Sequence, residues 1–70
     1  MTATRVRRDD PPGQPEHHLD PPVPVLVTSD GEQWPGFASR WRGRWVLCTW
    51  TRGPGLRHLG WVLGEDLVRL

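Results

Sequence analysis

Turn-forming residues punctuate this chain at short intervals. Asp30-Gly31, Gly43, Gly53-Pro54-Gly55 and Gly64 leave only short stretches between them, and eight prolines with eight glycines in 70 residues shorten every regular element. Within those stretches the apolar residues recur at every second position. Val23, Val25 and Val27 share one face of PVPVLVTS, and no segment carries the 3.6-residue spacing of a helix. The chain is therefore expected to be all-β.

The first 22 residues, MTATRVRRDDPPGQPEHHLDPP, are different in kind. Their few apolar side chains (Met1, Ala3, Val6 and Leu19) bury too little to offset the entropy of ordering, which predicts a disordered, polyproline-biased tail over 1–22. The folded domain is expected over 23–70. Its first strand is PVPVLVTS, with Pro24 at a strand start or edge, followed by a turn at Asp30-Gly31. A second strand, from about Trp34 to Arg42, places Phe37, Ser39 and Trp41 on one side and Gly36, Ala38, Arg40 and Arg42 on the other. The third, Trp45 to Arg52, sets Val46, Cys48 and Trp50 opposite Trp45, Leu47 and Thr49. A fourth runs from Leu56 to Leu63, and a last short one from Leu67 to Leu70. Five short antiparallel strands manage their edges best by closing into a partly open barrel.

The residues GWVLGEDLV at 60–68 resemble the closing segment of SH3 domains, in which a short 3₁₀ turn leads into the last strand. Trp45-Val46-Leu47-Cys48 looks like the strand before it, and a hairpin centred on Pro54 would set Val46 across from Val62 and Cys48 across from Gly60. Upstream, DGEQWPGF resembles the first hairpin of Tudor-like and other SH3-like barrels. The resemblance implies a small five-stranded SH3-like β-barrel over 23–70. It does not carry the proline-peptide groove with it: the chain has no tyrosine, Leu63 and Leu67 stand at the groove's proline and tyrosine positions, and only Trp45 matches the aromatic set.

Five tryptophans are too many for so small a core. Each would remove roughly 200 Å² from water, and a domain of this size buries only about 60% of its unfolded surface. Val25, Val27, Phe37, Val46, Leu59, Val62 and Val68 compete for the same space, with Trp41 and Trp50 assigned to it by strand parity. Trp45, Leu47 and Trp61 then point to the other face, where Trp45 and Trp61 could form an aromatic platform joined by Trp34. The expected function is a non-enzymatic module that recognises a protein or peptide partner through this face. An alternative is set by Arg40, Arg42, Arg44, Arg52 and Arg57, which carry a run without acids between positions 34 and 61. Arginines interleaved with tryptophans suit single-stranded nucleic acid, with cations for phosphates and rings for bases. Their placement at opposite ends of the strands divides that charge, and a solvated surface explains it as well.

The remaining features exclude more than they assign. The net charge of +1 gives no bulk attraction to nucleic acid or membrane. His17, His18 and Asp20 match no zinc spacing, Cys48 reads as a small core hydrophobe, and no nucleophile, base and orienting group come together. No metal, cofactor or catalytic residue is expected. One cysteine, no membrane-length apolar run and a basic start followed by Asp-Asp-Pro-Pro predict a cytoplasmic protein, monomeric or weakly dimeric. All nine basic residues are arginine, a usage associated with GC-rich bacterial genomes. Finally, Pro12 to Pro15 and Pro21 to Pro24 both satisfy PxxP, so the tail itself could dock on Trp45 and Trp61.

Overall fold

A computed structural model describes residues 6–70. They form six antiparallel strands: β1 (Val6–Arg7), β2 (Glu16–Ser29), β3 (Glu32–Arg42), β4 (Trp45–Thr51), β5 (Arg57–Leu63) and β6 (Leu67–Arg69). A 3₁₀ turn, Gly64–Asp66, joins β5 to β6. The strands make one curled sheet in the order β1-β5-β4-β3-β2-β6. The all-β expectation holds, and among the described residues no helix is long and apolar enough to cross a membrane.

The central hairpins follow from their turn residues. Asp30 and Gly31 both take positive φ, 53° and 78°, the left-handed pair that matches a two-residue turn to strand twist. Across the β4–β5 hairpin Val46 pairs with Val62 and Cys48 with Gly60, the register expected from Pro54. The inward faces of these strands supply the core, in which Val25, Val27, Ala38, Cys48, Trp50 and Val62 are buried together. The backbone N–H of Gly64 donates to Arg44 O, tying the 3₁₀ turn to the β3–β4 hairpin.

Three expectations are corrected. The sheet has six strands instead of five, because the N-terminal segment contributes one: Val6 pairs with Val62 and Arg7 with Trp61. Correspondingly, β2 begins at Glu16, and residues 6–22, expected to be disordered, are part of the folded unit. Residues 1–5 of that expected tail lie outside the described residues. The physical reason is that a segment poor in apolar groups can still dock through backbone pairing, the packing of Val6 and Leu19 on the core, the burial of Pro11, and ion pairs.

The third correction concerns β3. Ser39 has no partner in β4, since Ala38 pairs with Cys48 and Arg40 already pairs with Leu47. This bulge resets the alternation, so Ala38 points into the core while Phe37, assigned there by simple parity, is 54% exposed on the outer face. Trp41 regains the core side of the sheet beyond the bulge, opposite Val46, but lies at an open end of the sheet and is 42% exposed, with the His17 ring tilted over it at 5.1 Å between centroids. Leu59 and Val68, also expected inside, are exposed as well, because they occupy outward positions of β5 and β6.

Candidate functional site

The tryptophan platform expected at Trp45 and Trp61 exists as a geometry but is already covered. Leu47 and Trp61 are cross-strand partners, and Trp45 pairs with Leu63 on the same outer face. The N-terminal segment lies across them. Arg7 stacks its guanidinium 5.7 Å from the Trp45 ring, and the Trp61 indole Nε1 donates to Asp10 Oδ1 at 3.2 Å. Pro11 is fully buried, with its carbonyl accepting from Arg42 Nη1 at 3.1 Å, and Arg42 in turn sits 5.9 Å from the Trp61 ring. Trp61 is left 2% exposed, which corrects its assignment to an open surface. Trp45 and Leu47 remain half-buried, and Trp34 is packed against the core with Arg52 5.3 Å over its ring.

The arginines are similarly engaged within the chain. Arg40 and Arg42 both reach Glu16, at 3.5 and 3.4 Å, Arg44 pairs with Glu65 at 3.5 Å, and Arg52 with Asp30 at 2.9 Å. Of the five that the sequence singles out, only Arg57 has no ion pair among the described residues. The acids that neutralise the basic run come from the flanks, where sequence distance hides them.

The open surface lies on the opposite part of the outer face. Pro24 pairs with Phe37, which pairs with Thr49, and Pro35 lies beside Leu26 in the next row. Pro24, Pro35, Phe37 and Thr49, with Pro21, Pro22, Thr51, Arg57 and Leu70, line a groove of about 930 Å³. That volume is near the upper end of the roughly 300–1,000 Å³ typical of ligand pockets. Gly36 also borders the groove, and a Cβ there would collide with Thr49 O and lie 2.9 Å from Cβ of the core residue Trp50, so only glycine fits between the strands. The prolines offer no N–H donors, so the walls recognise by shape and apolar contact. Arg57 is the single charged residue of the lining.

Sequence reasoning missed this surface because it placed Phe37 in the core. One signal was available: Gly36 and Ala38 are the smallest side chains of β3, which suits positions crowded against Trp50 and Cys48 and sends Phe37 outward. Among the described residues no group of three or more His, Cys, Asp or Glu could hold a metal ion. Comparison with protein families, characterised proteins and solved structures gives no match to this chain.

Proposed function

We infer that this chain is a non-enzymatic, SH3-like barrel that binds an extended peptide segment of a protein partner, through the Phe37 groove in place of the Trp45–Trp61 face. The strand order β6-β2-β3-β4-β5, with a 3₁₀ turn before the last strand, supports the SH3-like reading. The observation that carries the function is the groove itself: an open apolar channel walled by four prolines and Phe37, with Arg57, which has no ion pair among the described residues, as its cation. Such a channel fits a ligand with apolar side chains for the walls and one carboxylate for Arg57. A charge-assisted bond of that kind fixes register as well as adding affinity. Nucleic acid is the weaker reading, since four of the five arginines it needs are held by the chain's own acids.

Selection from a displayed library of random peptides tests this. Enriched sequences should combine apolar residues with an Asp or Glu, and binding should fall by about tenfold or more in Phe37→Ala and in Arg57→Glu, both surface changes that leave the circular dichroism spectrum intact. Failure to enrich any sequence, or binding indifferent to both substitutions, contradicts the proposal. Concentration-dependent self-association abolished by Phe37→Ala would assign the groove to a second copy of the chain instead.

A further inference from the structure

The barrel has a second polar feature, at the mouth formed by the β2–β3 and β4–β5 turns. At four strand ends the core face gives way to a residue that can donate hydrogen bonds: Ser29 follows Val27 on β2, Arg52 follows Trp50 just past β4, His58 precedes Gly60 on β5, and Arg8 follows Val6 just past β1. These four, with Trp50, Val6 and Leu59, line a pocket of about 290 Å³. Its base is Trp50, 4% exposed, whose buried indole Nε1 has no hydrogen-bond partner among the described residues. A buried donor left without an acceptor is unfavourable, and an acceptor that reached it from the pocket would relieve that cost. Ser29, at the same end, is the one buried polar side chain of the described residues. The His58 ring stacks on Trp50, with centroids 5.6 Å apart and 20° between planes. Arg52 spends one N–H on Asp30, which leaves the rest of its fork, and no carboxylate lines the pocket.

We propose that this mouth binds a single phosphate group, free or as a small monoester, held by Arg8 and Arg52 with Ser29, His58 and the Trp50 indole N–H as further donors. The chemistry is that of an oxyanion receptor. Two guanidinium groups provide charge, one of them already partly neutralised by Asp30, and the other donors fill remaining lone pairs. The pocket is below the size range of larger organic ligands and matches a compact anion. The site is separate from the Phe37 groove, and its occupancy does not depend on that reading.

Titration of the full chain, followed by the ¹H–¹⁵N resonances of the five indoles and of His58, is the test. Inorganic phosphate and glycerol phosphate are compared with chloride at matched ionic strength. Saturable movement of the Trp50 indole and His58 signals with either phosphate, absent with chloride, is the expected result. Phosphate alone would assign a free anion, the ester alone an esterified group. Arg8→Ala, an exposed position, should weaken the binding by about tenfold without disturbing the other indoles. No saturable movement at Trp50, equal movement with chloride, or affinity unchanged in Arg8→Ala would overturn the site.

Discussion

Cys48 illustrates how a single core position ties sequence to a measurable property. It is fully buried between Ala38 and Gly60 on neighbouring strands, and burial pushes its thiol up from 9.0 to about 12. The folded state therefore keeps a proton that the unfolded chain releases above pH 9. Stability should decline between about pH 9 and 12, by up to about 1.4 kcal/mol per pH unit, with no loss below that window. The chain contains neither lysine nor tyrosine, so no other side chain titrates there to confuse the result. Urea unfolding across that range should show the decline in the wild type and not in Cys48→Ala; identical slopes would refute the assignment. The inward place of Cys48 was legible from alternation alone, as were those of Val25, Val27 and Val62. Phe37 was not, because one unpaired residue at Ser39 reverses the alternation, and only the small side chains of Gly36 and Ala38 hint at the reversal.

The N-terminal segment shows the same limit at the scale of an element. Its composition forecasts disorder, and the few apolar groups it has would not order it alone. What the composition omits is the surface waiting for it. Burying an indole removes roughly 200 Å² from water, about 5 kcal/mol at 25 cal/mol per Å². Even a fraction of that exceeds the 0–1 kcal/mol that each exposed ion pair of the segment can contribute. Trp61 therefore holds the strap more than Glu16 or Asp10 does through charge, and the docking that the PxxP spacing allowed is made instead by Val6, Asp10 and Pro11. Asp10→Ala, which leaves the indole N–H without its acceptor, should cost about 1–2 kcal/mol. Gly60→Ala, whose new Cβ would strike Val6 Cγ1, should lift β1 away. Each should raise acrylamide quenching of tryptophan fluorescence. Unchanged quenching in both variants would mean that the strap does not shield Trp61.

At the scale of the whole molecule, the near-neutral charge and the surplus of tryptophan acquire a joint explanation. The flanking acids Asp10, Glu16, Asp30 and Glu65 neutralise four arginines of the basic run. Arg7, Arg42 and Arg52 cover tryptophan faces that the core cannot hold. The chain thus consumes its own most obvious binding surface, and what remains open is the proline-walled groove around Phe37. The architecture was readable in outline, from turn residues and the Val46–Val62 register, whereas the candidate site was not, since it depends on which face the strap occupies.

If the Phe37 groove is the binding surface, a partner engages the open face and leaves the covered one alone. The most direct measurement is a backbone and indole chemical-shift map of the full chain titrated with a selected peptide. Movement should centre on Phe37, Thr49, Thr51 and Arg57, with the Trp45 and Trp61 indoles and the Val6–Arg7 amides unmoved. Perturbation centred on Trp45 and Trp61, with loss of the β1–β5 pairing, would contradict it.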